Sequence, residues 1–147
     1  MDEELIDRTA GHLLSLIPLY RHKILKQSHG ITGIQGAQFR LLHILSQNGT
    51  QRMSEIGRRL YISKPYMTAL VDSLIRDGFV RRQPDPKDRR VIRIAITGKG
   101  QLRLSTMAAL IKENIGHDLS SLETSDLEIL CRALQDLRTV LEKIPED

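Results

Sequence analysis

Residues 62–100 read ISKPYMTALVDSLIRDGFVRRQPDPKDRRVIRIAITGKG, and their hydrophobic period changes partway along. The first half carries apolar residues at the i, i+3, i+4, i+7 and i+8 spacing of a helix with one buried face. These residues are Met67, Leu70, Val71, Leu74 and Ile75. After Asp77 and Gly78 the period shortens to about two residues, which predicts strands over 79–83 and 91–97 joined by a turn rich in proline and aspartate. The segment predicts a helix followed by a β-hairpin.

A shorter helix is predicted immediately before this segment. Ser54 opens it, and Ile56 and Leu60 face inward at helical spacing. Residues 61–63 form a tight break before the helix predicted over 64–77. Two short helices joined by a tight turn and followed by a basic hairpin are the layout of a winged helix-turn-helix. We therefore expect a mainly α fold with a small β-hairpin wing.

Two helices are predicted on the N-terminal side of this motif. Apolar residues at helical spacing predict a long helix over residues 5–28 that ends near His29 and Gly30. Thr32 followed three residues later by Gln35 is the pattern of a capping box, which predicts the start of the second helix.

Asn48 and Gly49, before the winged motif, are predicted to end the second helix. After the hairpin, helical spacing resumes over 102–115 until Gly116 interrupts it. A last helix is predicted from Thr124 or Ser125 to about Ile144. The sequence contains no internal repeat and no low-complexity linker, so we expect one domain of 147 residues.

Composition excludes several classes of protein. Only 3% of the residues are aromatic, so a stacking platform for single-stranded nucleic acid is not expected. No apolar run approaches the ~18 residues that span a bilayer, and the first residues are acidic where a signal peptide needs bases. These features predict a cytoplasmic protein without a membrane partner.

No catalytic or metal-binding pattern is present. The single cysteine, Cys131, excludes an internal disulfide and a thiolate-rich metal site, and its leucine neighbours favour a small buried side chain over a redox switch. The five histidines lack close metal-ligand spacing. A nucleophile elbow and a glycine-rich phosphate loop are also absent, so we expect neither an enzyme nor a bound cofactor.

Charge is distributed unevenly along the chain. Residues 52–93 carry eleven bases and five acids, whereas residues 118–147 carry three bases and eight acids. A basic block beside an acidic tail suits a protein that presents one face to a polyanion. The alternative interpretation is a charged loop that only faces solvent, and composition leaves both open.

The predicted helix-turn-helix explains how such a face could bind DNA. The apolar stripe of the helix over 64–77 faces the core, so its other residues lie on the outer and flanking faces, where a major groove can admit them. Ser63 is placed to cap the helix, whose free N–H groups attract phosphate. The hairpin projects Arg89 and Arg90 on a narrow arm that suits a minor groove.

At these residues the sequence resembles the MarR (multiple antibiotic resistance regulator) family of transcriptional regulators. Residues 53–60 resemble the first helix of the family's motif, and 62–78 resemble its recognition helix. The most specific likeness is FVRRQPDPKDRRVIRIAITGKG, residues 79–100, which matches the family's wing. The resemblance implies a homodimer joined through N- and C-terminal helices, here residues 1–30 and 101–147. It also implies a DNA-binding region over 31–100.

The resemblance further implies roles for individual residues. Asp88 would hold Arg90, which would enter the minor groove, while Thr68 would face the bases. Ser63, Lys64 and Tyr66 would lie near the helix entry. The complete set of expected DNA contacts is Ser63, Lys64, Pro65, Tyr66, Thr68, Ala69, Asp88, Arg89 and Arg90.

One expected contact departs from the family's pattern. Many members carry an arginine at the position of Ala69, and an arginine there could read guanine. Two quieter interpretations also remain: Asp88 and Arg90 could merely stiffen a turn, and Tyr66 could cover the motif's own turn.

Control by a small molecule is a further expectation from the resemblance. The family regulates near-palindromic operators and releases them on binding a phenolic or anionic effector. Tyr20 and Arg21 could supply a phenol and a guanidinium to such an effector, although ordinary surface or core roles remain open for both. Two other functions are alternatives: a winged-helix module for protein assembly without specific DNA binding, and a ligand sensor that has lost DNA binding.

Overall fold

The computed structural model describes residues 2–26 and 33–145. Within them, six helices and three short strands follow one another along the chain. They are α1 (Glu3–Lys23), α2 (Gly33–Asn48), β1 (Gln51–Arg52), α3 (Met53–Leu60), α4 (Lys64–Arg76), β2 (Val80–Pro84), β3 (Ile92–Ile96), α5 (Gly98–Leu119) and α6 (Thr124–Leu141). The fold is therefore mainly α with a small sheet, as the sequence predicted. Residues 1–112 and 113–147 form two compact units, which are described separately.

The core of the first unit lies beneath α4. The apolar stripe predicted for this helix is confirmed: Met67, Leu70, Val71 and Leu74 are buried. The side chains that are almost completely inaccessible to solvent come from α2, α3, α4 and β3, and they are Leu41, Leu42, Leu45, Ile56, Val71, Leu74 and Ile94. Because both helices of the motif pack on this shared core, the outer face of α4 is held in a fixed orientation.

The predicted hairpin forms, and a third strand extends it. β2 and β3 pair antiparallel, with Val80 opposite Ile96 and Pro84 opposite Ile92. β1 pairs with the other edge of β3, which gives the strand order β1-β3-β2. β1 was not predicted from the sequence, because two residues carry no readable period. The extra strand holds the base of the wing against the start of α3.

Ser63 caps α4 as predicted, since its hydroxyl accepts a hydrogen bond from the Tyr66 amide at 3.3 Å. The Ser63→Ala variant loses this acceptor at the exposed first turn. We expect its free energy of unfolding to fall by about 0.5 to 2 kcal/mol in a urea titration. Ser63→Asp, which restores an acceptor, should recover most of the loss; equal stability of Ser63→Ala and the parent would contradict the capping role.

Four predicted helix boundaries differ from the structure. The first helix ends at Lys23 rather than at residue 28, and α6 ends at Leu141 rather than near Ile144. α5 starts at Gly98 because the Thr97 hydroxyl accepts from the Gly100 amide at 3.0 Å. The same helix continues through Gly116, since one glycine costs only about 1 kcal/mol in a helix. His29 and Gly30, the residues predicted to stop the first helix, and the Thr32 cap lie outside the described residues.

α1 and α6 expose apolar side chains along their lengths. Neither helix has a buried residue, and Leu14 is 71% exposed. Cys131 is also exposed, so the expectation of a buried thiol was wrong for the single chain. The error arose because leucine neighbours indicate an apolar face but not whether the same chain covers it. In the described part of the chain, no helix combines the length and apolar character needed to cross a membrane.

Candidate nucleic-acid interface

The residues expected to contact DNA from α4 lie on its exposed side. Lys64, Pro65, Tyr66, Thr68 and Ala69 are all exposed, and so is the capping residue that precedes them. This placement follows from the helical period: once the apolar stripe is buried, the remaining positions must face outward. Tyr66 retains 40% of its surface, so the part not in contact with solvent packs against the protein. The exposed residues of α4 are therefore available for contact with a groove of DNA.

The turn before α4 contains a strained residue that the sequence analysis did not identify. Tyr61 has a φ of 53° in the left-handed region, where among the described residues the other positive values belong to glycine. Its side chain is 95% exposed. The Ile62 amide bonds the Gly57 carbonyl at 3.3 Å across this turn. The left-handed residue thus lets the chain reverse between α3 and α4 within three residues.

The wing tip is organised by a buried carboxylate. Asp85 is 6% exposed, and its Oδ1 accepts hydrogen bonds from the Lys87 amide at 2.9 Å and the Asp88 amide at 3.2 Å. These bonds, the first being the larger cause, lower the pKa of Asp85 below 3.8. Arg52 approaches the other oxygen at 3.8 Å. Asp85 was not among the expected site residues, although aspartate within a proline-rich turn is the signal that could have indicated its role.

Asp88 holds Arg90 through both backbone and side chain. Its Oδ1 accepts from the Arg90 amide at 3.0 Å and from Nε at 3.2 Å, while Oδ2 accepts from Nη2 at 3.3 Å. Arg90 remains 90% exposed at its side chain, so its orientation is set without its being covered. The neighbouring Arg89 is also exposed. The Asp88–Arg90 pair can therefore present the Arg90 guanidinium outward. The structure brings Asp88, Arg89 and Arg90 together at the wing tip.

The pKa of Asp88 is lowered below 3.8, chiefly by the side-chain hydrogen bond from Arg90 and then by its amide. Because the folded pKa lies below the unfolded one, the stabilisation is present above that unfolded value and is lost as pH falls through the folded pKa. We expect an NMR titration of the Asp88 carboxyl resonance to give a midpoint below 3.8, so that most of the carboxyl is ionised at pH 5. A midpoint at or above 3.8 would contradict the observed clamp.

A groove of 570 Å³ lies between α3, α4 and the wing. Its floor is apolar and its rim carries four cations, Arg58, Lys64, Arg82 and Arg90. The other lining residues are Met53, Ser54, Gly57, Ile62, Met67, Thr68, Val91 and Ile92. Arg58 and Arg82 were missed by the sequence analysis, because neither the helix pattern nor the wing pattern shows that the two elements meet. The arrangement can receive an extended polyanion that contacts the helix and the wing together.

One rim cation is bound to α4. Arg82 on β2 donates from Nη2 to Oδ1 of Asp72 on α4 at 2.6 Å. Both side chains are about half exposed, at 43% and 48%. This contact connects the wing to the outer face of α4.

The residues considered for an effector lie elsewhere. Tyr20 and Arg21 are exposed on the last turns of α1, and neither lines the groove. The structure therefore does not bring them together with the residues expected to contact DNA. No group of three or more histidine, cysteine or acidic side chains within 2–26 and 33–145 could hold a metal ion.

Comparison with known proteins identifies similar chains. The family model described as MarR family matches residues 34–92, which include α3, α4 and most of the wing. The uncharacterised HTH-type transcriptional regulator YkoM of Bacillus subtilis (strain 168) is 31% identical over 98 residues, 67% of this chain. The HTH-type transcriptional repressor YetL of the same organism is 29% identical over 107 residues, 71% of this chain. Each alignment spans 64% of the relative's length.

A solved structure is similar over more of the chain. The crystal structure of a MepR-like protein complexed with pseudoligands is 30% identical, with a TM-score of 0.54. The match covers 92% of this chain and 95% of that one. The likeness therefore includes the terminal helices as well as the winged motif.

Proposed function

The chain belongs to the MarR family, and we propose that it is a sequence-specific regulator of transcription that binds double-stranded DNA. We further propose that it is a repressor of a near-palindromic operator and is released by a small phenolic or anionic ligand. The observation that carries the first proposal is the cationic rim shared by α4 and the wing, with Arg90 oriented by Asp88. Relatives named as transcriptional regulators and repressors support the same interpretation over an enzymatic one.

The proposed complex uses two grooves of the duplex. The N-terminal half of α4 enters the major groove, where Thr68 faces bases and Ser63, Lys64 and Tyr66 lie near the helix entry. Pro65 and Ala69 complete the expected contacts of this helix. The wing places Arg90 in the minor groove and Arg89 beside a phosphate. Because position 69 is alanine, sequence preference rests more on Lys64, on methyl contacts and on DNA shape.

We propose that residues 1–30 and 101–147 join two copies of the chain and that 31–100 bind DNA. The exposed apolar side chains of α1 and of α6 support this division, since patches of that extent mark interaction surfaces. A dyad between two copies makes two α4 helices available, which suits a near-palindromic operator. The expected partners are thus duplex DNA and a second copy of the chain.

Duplex binding at several salt concentrations tests the proposal. A DNA-binding regulator should prefer an operator-like duplex over random duplex and lose affinity steeply as salt rises, because each phosphate contact releases counterions. A winged-helix module for protein assembly should show neither this preference for an operator-like duplex nor this salt dependence. Arg90 and Arg82 would then face a protein partner, and affinity for DNA of any sequence would be negligible at physiological salt.

The ligand proposal has its own test. The proposed dimer has a conformation in which the spacing of its two wings does not fit DNA. An aryl carboxylate that binds this conformation more tightly should weaken operator binding by about 5-fold to 150-fold. By linkage, saturating DNA must lower the affinity for the ligand by the same factor. Tyr20→Phe and Arg21→Ala test the two residues proposed to hold it. Equal ligand affinity for the free and the DNA-bound protein would contradict this control.

A further inference from the structure

Four cations face the proposed DNA backbone, yet two of them are already bound to carboxylates. Asp88 holds Arg90, which is part of the wing described above. Asp72 holds Arg82 by a 2.6 Å contact from a different element, the exposed face of α4. Asp72 lies one helical turn after Thr68, on the side of the helix proposed to face the major groove. An acid at this place lowers the attraction to DNA, so its presence requires a physical reason.

Stability gives a weak reason. The pair is about half exposed on both sides. Ion pairs of that kind contribute little to folding, because solvent screens them and two long side chains lose freedom. The sheet and the core already hold β2, since Val80 is 2% exposed and pairs with Ile96. A surface staple would therefore add little to the orientation of the wing.

Electrostatics gives a stronger reason. The Arg82–Asp72 pair together carries almost no net charge, whereas Arg82 without Asp72 would attract the backbone of any duplex. At the same time, Asp72 uses one of the five N–H donors of the guanidinium and fixes its plane. The remaining donors are preorganised for a phosphate at one position. An arginine held in this way stabilises the one complex in which a phosphate lies at that position. It does less for complexes in which the protein is shifted along the DNA.

We propose that Asp72 is a specificity-determining residue that restrains Arg82, lowering affinity for DNA of arbitrary sequence while preserving affinity for the operator. The inference rests on the proposed DNA-binding function. It adds that discrimination between the operator and other DNA depends partly on the Asp72 carboxylate, which repels the backbone of non-cognate DNA, and not only on the residues that face bases. Asp72 and Arg82 therefore have opposite effects on non-specific affinity, although they form one contact.

The experiment measures binding of Asp72→Asn to two duplexes. One is the duplex that the wild-type protein enriches from a random pool, and the other is a scrambled duplex of the same composition. We expect Asp72→Asn to bind the scrambled duplex about threefold more tightly at low salt, with the slope of log K against log salt steeper by about 0.9. Affinity for the enriched duplex should change less, so the ratio of the two affinities should fall.

Two matched variants complete the design. Asp77→Asn removes the same charge from the C-cap of α4, five residues after Asp72, and should leave the ratio of affinities unchanged. Arg82→Ala should weaken binding to the enriched duplex, the opposite direction from the effect of Asp72→Asn on scrambled DNA. Thermal unfolding of each variant separates binding from folding, since an exposed pair should move the melting temperature little.

An unchanged ratio of affinities in Asp72→Asn would overturn the inference, as would a fall in affinity for both duplexes. Either result is distinguishable from failure of the proposed function. If the proposed function is wrong, the wild-type protein itself will enrich no duplex and will bind the two DNAs equally.

Discussion

The Arg90→Ala variant should bind its operator about 1 to 3 kcal/mol more weakly than the parent protein, with a salt slope less steep by about 1. Arg90 is the exposed cation that Asp88 orients by three hydrogen bonds. A preoriented guanidinium loses little side-chain freedom on entering a narrow groove, so its removal costs more than the removal of a mobile cation. Fluorescence anisotropy over a series of salt concentrations measures both quantities.

Two variants control for net charge and for orientation. Lys87→Ala removes an exposed cation of the same wing whose side chain has no part in the Asp88 clamp, and it should have a smaller effect. Asp88→Ala should reproduce part of the Arg90→Ala loss even though it makes the wing more positive. Unchanged affinity and an unchanged slope in Arg90→Ala would remove the wing from the DNA interface.

Gly100→Ala should lower the free energy of unfolding by about 3 kcal/mol, the upper part of the usual range for overpacking. A Cβ at this position would lie 2.1 Å from the Phe79 carbonyl oxygen and 2.8 Å from Cγ1 of Ile96. The backbone cannot move away easily, because Thr97 bonds the Gly78 carbonyl at 2.6 Å and the Gly100 amide at 3.0 Å. The start of α5 is therefore held against Phe79, which lies three residues after the end of α4.

Gly116→Ala is the matched control, since it lies in the same helix and an added Cβ meets nothing within 4 Å. Alanine is a better helix former than glycine, so this variant should gain about 0.5 to 1 kcal/mol. Urea unfolding of both variants gives the comparison. A Gly100→Ala protein as stable as the parent would show that the packing between α5 and residue 79 is looser than described.

The winged motif could be predicted because its evidence is local. The buried stripe of α4 and the alternation over β3 are periods that can be read within a dozen residues, and Ser63 stands where a cap is needed. The exposure of Lys64, Thr68 and Ala69 follows directly from that stripe. The Asp88–Arg90 contact was suggested by family resemblance, and the two residues are near neighbours in the chain.

The features that could not be predicted depend on contacts between distant segments. β1 is recognisable only once Arg52 is paired with Arg93. The Asp72–Arg82 pair joins a helix to a strand, and the need for glycine at position 100 arises from the carbonyl of Phe79. The exposure of Cys131 was missed for a related reason, since an apolar helix face does not state which chain covers it. Neither periodicity nor charge carries this information.

The central proposal is a dimer that reads duplex DNA with two α4 helices and two wings. Selection of bound duplexes from a random pool, followed by determination of the number of protomers on the enriched sequence, tests it most directly. We predict a near-palindrome with half-sites about 10 base pairs apart, centre to centre, and two protomers per duplex. A pool without enrichment, or a stable monomer on one asymmetric half-site, would contradict the account.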